Sequence, residues 1–181
     1  FTTGDQLDDW WDPAYGEVMA APDGSLLVWH PNMGVARLDP EERASDLLYT
    51  APVNSTALAI HGDTAYVAYR SAAGVTLYSV AADGILVPLA TFDMADALAL
   101  AIDASGVALL SGTVLADGNP AEFPVLEFPI DDPTNATGRA DLGGCPVFSI
   151  AFDRADGTVH LTNCEGVVTS TPAGESVTVA Y

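Results

Sequence analysis

Cys145 and Cys164 have the most specific chemistry to offer among the side chains of this 181-residue chain. They flank a segment in which Asp153, Asp156 and Gly157 mark a hairpin turn. A turn centred on Arg154-Ala155 sets Asp153 against Asp156, and counting outward from that pair places Cys145 opposite Cys164 on neighbouring antiparallel strands. Opposed residues come close enough for a disulfide. Such a bond would close a loop of about 20 residues and stabilise by roughly 3 kcal/mol. The alternative is two buried free thiols in a reducing compartment.

The other reactive side chains form weaker patterns. His61 falls in a turn, and His160 falls within a strand, where it reads as a partly buried structural residue. No Gly-x-Ser-x-Gly elbow, phosphate-cradling glycine loop or Cys/His zinc spacing accompanies them. Asp5, Asp8, Asp9 and Asp12 cluster early, and Asp131-Asp132 sits in a polar loop. Calcium needs six to eight oxygens and a loop such as D-x-D-x-D-G, which is missing. Asp at a hairpin turn is already explained by bonding to the turn backbone. No cofactor is therefore assigned, with calcium the one ion to consider. Trp10-Trp11 offers large apolar area to a protein or a sugar, or else plugs one end of the domain.

The elements that must position these groups come from a unit that recurs four times: an apolar strand, an Asp/Gly turn, a second apolar strand. The copies are Val18-Met-Ala-Ala-Pro-Asp-Gly-Ser-Leu-Leu-Val-Trp29, Leu58-Ala-Ile-His-Gly-Asp-Thr-Ala-Tyr-Val-Ala68, Leu98-Ala-Leu-Ala-Ile-Asp-Ala-Ser-Gly-Val-Ala-Leu-Leu110 and Phe148-Ser-Ile-Ala-Phe-Asp-Arg-Ala-Asp-Gly-Thr-Val-His-Leu161. Their turn glycines, Gly24, Gly62, Gly106 and Gly157, stand 38, 44 and 51 residues apart. A four-stranded propeller blade is roughly 40–50 residues long. The second copy predicts the whole unit: strands at Thr56 to His61, Thr64 to Arg70, Val75 to Val80 and Ile85 to Phe92. The first copy predicts strands at Glu17–Ala21, Leu26–His30, Val35–Leu38 and Leu47–Thr50, with a helical turn considered between Asp39 and Ala44. In the third copy Leu115-Ala-Asp-Gly-Asn-Pro120 separates the second and third strands, and a polar loop precedes a weak fourth. The expectation is an all-β, propeller-like array of four four-stranded antiparallel meander blades, complete or part of a larger propeller. The repeats fall at about 16–53, 54–94, 95–144 and 145–181, after an irregular segment 1–15.

Met19-Ala-Ala-Pro-Asp-Gly-Ser-Leu-Leu-Val-Trp-His30 and Ser149-Ile-Ala-Phe-Asp-Arg-Ala-Asp-Gly-Thr-Val-His-Leu-Thr-Asn163 resemble the first two strands of NHL-type, YVTN-type and gluconolactonase-like propeller repeats. The resemblance covers about 15 residues in each repeat and implies the architecture. It also implies that residues ending the second strand face one rim of a central channel. Six positions past the turn glycine stand His30, Gly112 and Asn163, with Tyr69 the counterpart in the second copy. His and Asn can bind a metal or a polar ligand. The gluconolactonase-like enzymes hold a divalent metal with carboxylates, and no carboxylate stands at these positions here. The expectation is a channel mouth of His30, Tyr69 and Asn163 that fills a polar rim or binds a small ligand.

Composition narrows the partners. The chain has 25 acidic residues against 5 basic, all arginine, for a net charge of −20. So negative a surface repels nucleic acid and anionic lipid. Solubility at high salt, attraction of a basic partner and compositional drift all fit the excess. The apolar runs Ala97 to Ile102 and Ile85 to Ala90 are too short to cross a bilayer. A disulfide and the sequons Asn54-Ser-Thr56 and Asn135-Ala-Thr137 fit an extracytoplasmic location, and a sequence that begins at Phe1 is expected either to have lost a leader, which fits too, or to be a fragment of something longer. The expected function is a non-catalytic interaction or scaffold module docking on a larger assembly through its loop rim and Trp10-Trp11. The alternative is small-ligand or carbohydrate binding, or metal-dependent hydrolysis, at the channel mouth.

Overall fold

Four antiparallel sheets follow one another along the chain. The computed structural model describes residues 17–20, 25–30, 34–39, 44–49, 57–80, 86–153, 155–171 and 176–179. Sheet one comprises β1 (Glu17–Ala20), β2 (Leu26–His30), β3 (Gly34–Asp39) and β4 (Ala44–Tyr49). Sheet two comprises β5 (Ala57–His61), β6 (Thr64–Ser71), β7 (Gly74–Val80) and β8 (Leu86–Phe92). Sheet three comprises β9 (Asp96–Ile102), β10 (Val107–Ala116), β11 (Asn119–Glu122), β12 (Val125–Pro129) and the two-residue β13 (Thr137–Gly138). Sheet four comprises β14 (Ser149–Phe152), β15 (Val159–Asn163), β16 (Gly166–Ser170) and β17 (Ser176–Val179).

The repeat explains the meander locally. Asp103 Oδ1 accepts hydrogen bonds from the backbone N–H of Ser105 (2.9 Å) and Val107 (2.8 Å), which folds the chain back after β9. Gly106 then takes φ +88°, a left-handed value that a side chain disfavours. In the fourth copy Asp153 and Asp156 bond the N–H of Ala155 and Thr158, and Gly157 has φ +74°. In the third copy the ribbon of β10 and β11 turns through Asp117 (φ 52°) and Gly118 (φ 78°), the two-residue turn that suits twisted strands. The fourth strand there is short, as the sequence predicts. In the first copy β3 reaches Asp39 and β4 starts at Ala44, earlier than the expected Leu47. The helical turn considered between them falls on residues outside the described part, as do residues 1–15 with Trp10 and Trp11.

Alternation then stacks the sheets. First strands pack in series, β1 beside β5, β5 beside β9 and β9 beside β14. Leu77, Ala57 and Ala68 from sheet two meet Leu100, Leu110 and Phe128 from sheet three, with Phe92 stacked on Phe128 at 5.2 Å between ring centroids. Leu109 and Val125 from sheet three meet Leu161, Val168 and Val159 from sheet four. A series of meanders joined through their first strands is the β-propeller arrangement. Contacts of that strength do not join β14 to β1 among the described residues.

The disulfide between Cys145 and Cys164 is present, with Cα atoms 5.8 Å apart. Its geometry corrects the expected register. Ser149 pairs with Thr162 and Phe152 with Val159, and Asp153 N–H donates to Thr158 O at 2.7 Å. The hairpin loop is therefore two residues longer than a turn facing Asp153 with Asp156. Cys164 lies in the β15–β16 turn and Cys145 in the connection leading to β14, so they are not a cross-strand pair.

Candidate functional site

Antiparallel pairing puts the end of each second strand beside the start of its first strand. The opposite ends, carrying the Asp turns, are aligned between sheets by His61 Nδ1, 3.1 Å from the Asp103 carbonyl oxygen. The second-strand ends therefore share the other face. His30 closes β2 opposite Gly34, and its side chain lies outside the described part. Tyr69 is on β6, half-buried, its ring stacked on Tyr78 at 5.0 Å, and Tyr78 OH donates to Tyr69 OH at 3.4 Å. Asn163 closes β15, where its Oδ1 accepts from Glu165 N (2.9 Å) and Gly166 N (3.2 Å). That bonding shapes the turn and occupies the amide oxygen. Tyr69 and Asn163 stand on sheets two and four, with sheet three between them. At the corresponding position of sheet three, a Cβ on Gly112 would lie 2.4 Å from Asp96 O, so only glycine fits.

Sheet three adds features that residue type did not reveal. Beyond the reach of β9, β10 continues into a ribbon with β11, in which residues 115–122 are all exposed. Beside it a cleft of about 460 Å³ is lined by Phe123, Pro124, Val125, Arg139, Gly143 and Gly144. Arg139 is held on one side of it. Its Nε and Nη2 donate to the two Asp141 oxygens at 2.9 and 2.8 Å, and its Nη1 donates to Glu127. Hydrogen bonding from Arg139 lowers the Asp141 carboxyl below its ordinary value, and the two carboxylates hold the guanidinium firmly charged. At the start of β9, burial raises the Asp96 carboxyl, against the charge of Arg70 and the Ala97 N–H. A signal for the Arg139 clamp did exist: an arginine in so acidic a chain has acids near it.

Asp132 Oδ1 accepts from Thr134 Oγ1 at 2.7 Å and its Oδ2 accepts from Asn135, so the Asp131-Asp132 loop is folded on itself. Asp5, Asp8, Asp9 and Asp12 lie outside the described residues. Among the described residues no three His, Cys, Asp or Glu side chains gather as a metal site. His160 is exposed rather than partly buried, with Nδ1 3.2 Å from Thr169 Oγ1. Among the described residues no helix is long and apolar enough to cross a membrane.

Comparison with solved structures gives the same architecture. The chain is similar to regucalcin, a calcium-binding protein from Agrobacterium tumefaciens, at TM-score 0.59 and 13% identity, over 88% of this chain and 57% of that one. It is similar to the extracellular domain of a putative one component system from B. thetaiotaomicron, at TM-score 0.57 and 14% identity, over 88% of this chain and 20% of that one. A quinonprotein alcohol dehydrogenase-like protein from Bacteroides thetaiotaomicron matches at TM-score 0.51 and 9% identity, over 90% of this chain and 54% of that one. The chain thus spans less than three fifths of each of these structures. No protein-family model matches the sequence, and no curated protein matches it significantly. The fold is an array of β-propeller blades, and the repeat resemblance holds at that level.

Proposed function

We propose that this chain is a non-catalytic, extracytoplasmic interaction module that binds a protein partner through the face at its second-strand ends. One observation carries the reading: the β10–β11 ribbon projects from that face with residues 115–122 all exposed, including Leu115. Its twisted two-strand form presents side chains without an extended flexible loop. The Cys145–Cys164 bond supports the same face, since it ties the connection after Gly144 to the β15–β16 turn. The disulfide also favours an oxidising compartment. The net charge of −20 selects a partner with a basic contact surface and disfavours nucleic acid and anionic membranes. Trp10-Trp11 remains a second contact element in this reading.

Cross-linking mass spectrometry on the natively purified protein tests it. Cross-links from a stoichiometric partner to residues 115–122, or to the Trp10-Trp11 segment, are expected. Cross-links confined to the Asp-turn face, or no partner at stoichiometric yield, would sink the reading. A second reading, small-ligand or carbohydrate binding, is favoured by the cleft of about 460 Å³ beside Arg139. Saturable binding lost on Arg139→Ala would select it over the first.

A further inference from the structure

The β10–β11 ribbon has two faces, and alternation along β10 says where each points. The extra residues at both register shifts lie on β9 and β11, so β10 itself alternates without a break. Leu109 packs on sheet four, and Ser111 Oγ donates to Val147 O at 2.8 Å. Leu110 and Val114 belong to the core shared with sheet two. Leu115 therefore points to the sheet-four side, where it pairs with Pro120 across the ribbon and is 42% exposed.

A second wall comes from the connection between β13 and β14, which packs on that side through Leu142 and Val147. Arg139 fixes one end of it by bonding Glu127 and Asp141, and the Cys145–Cys164 bond fixes the other. Between these anchors, Gly143 and Gly144 line the cleft of about 460 Å³ together with Phe123 and Pro124. Phe148 ends the connection, 59% exposed, two residues before Ile150, which packs on the same core. An open apolar cleft of this kind marks a binding surface.

The rim is acidic. Asp117 and Glu122 are exposed on the ribbon, and Glu165 is exposed beside Cys164. Arg139 is the one basic residue between Arg70 and Arg154, and its three guanidinium nitrogens donate to carboxylates. Its charge is already matched, so an anion gains little from it, and a second copy of the chain would set acid against acid. We propose that the cleft takes a segment of a protein partner with an apolar side chain flanked by Lys or Arg, an inference that rests on the interaction-module reading above. The apolar side chain seats against Leu115 and Phe123, and the flanking cations meet Glu122 and Glu165. The Arg139 clamp and the disulfide hold the wall before the partner arrives, so less freedom is lost on binding.

Panning a phage-displayed random peptide library on the oxidised 181-residue chain tests the proposal. Enriched sequences should carry an aliphatic or aromatic residue flanked by Lys or Arg. A synthetic peptide of that sequence should bind Leu115→Ala at least about tenfold more weakly, because its anchor loses the surface it packs on. Its affinity should fall as salt is raised, and less steeply in Glu122→Gln with Glu165→Gln. All three side chains are exposed, so the variants should keep the circular dichroism spectrum of the wild type. Enrichment of acidic or uncharged sequences, no enrichment, or binding untouched by Leu115→Ala would overturn the proposal. Partner cross-links that still fall on residues 115–122 would then leave the wider reading standing, whereas cross-links confined to the Asp-turn face end both.

Discussion

Ala59 and Ala151 occupy the same place in two copies of one repeat, and only one is inside the protein. Ala59 is 1% exposed between sheets two and three, whereas Ala151 faces solvent from sheet four. Their strands have the same alternation and their hairpins the same Asp/Gly turn logic. What differs is the neighbour: sheet two is covered by sheet three, and sheet four is covered on one side alone among the described residues. Burial in a repeat array belongs to the contact between repeats as much as to the repeat.

Charge placed at the two alanines separates the regions most sharply. Ala59→Glu should destabilise by about 4 kcal/mol or more, since it overpacks a filled layer and buries an unpaired carboxylate. Ala151→Glu should change the stability of the single chain by no more than about 0.5 kcal/mol. Denaturant titration at a concentration where the chain is monomeric checks both, and equal costs would break the comparison. Removing the disulfide comes next. Sheet four has one packed neighbour and a covalent tie through Cys145 and Cys164, 19 residues apart. Reduction should cost about 3 kcal/mol, seen as a lower urea midpoint with dithiothreitol.

Ser111→Ala tests the polar link between sheets three and four. Its buried hydroxyl donates to Val147 O at 2.8 Å, and its loss should cost about 1–3 kcal/mol because that carbonyl then lacks its partner. A thermal melt of the variant is sufficient.

The smallest effects are pH-dependent. Asp141 titrates below its ordinary value of 3.8 in the folded chain, so its contribution is full above that value and disappears as pH falls through the folded one. Asp96 titrates above 3.8, so its penalty is absent below that value and grows as pH rises through the folded one. Asp141→Asn should therefore flatten the acid-side gain in stability, and Asp96→Asn should steepen it. Denaturation midpoints across the acid range read both signs, and a shift of the same sign in both variants would contradict this electrostatic account.

The second copy was readable almost to the residue. Its strands are bounded by Gly62 and Gly74, both at positive φ, and Leu58, Val67 and Val80 repeat on one face. The fourth hairpin has a loop two residues longer than the sequence predicts. Two Asp side chains, Asp153 and Asp156, each cap a different backbone N–H and hold a longer loop open. Residue type alone does not separate that loop from a tight turn. The Cys145–Cys164 disulfide is as the sequence predicts, although the cross-strand pairing that pointed to it is not. Asn163 was placed at a rim by counting, but its bonds to Glu165 and Gly166 were not legible. An asparagine that shapes a turn and one that binds a ligand have the same sequence signature. The cleft beside Arg139 depends on where the connection after β13 passes, which no local pattern records.

By itself the sequence determined where the chain turns, though not the length of every turn, together with the alternation and the count of repeats, because these depend on backbone freedom at glycine, carboxylates that bond the next few amides, and side chains that alternate across a strand. Only the tertiary structure decided which alanines are core, how the two cysteines meet and which blade face stays open. Those depend on what arrives from elsewhere in the chain. Ala59 and Ala151 are chemically the same, and the packing of another sheet decides which of them leaves water.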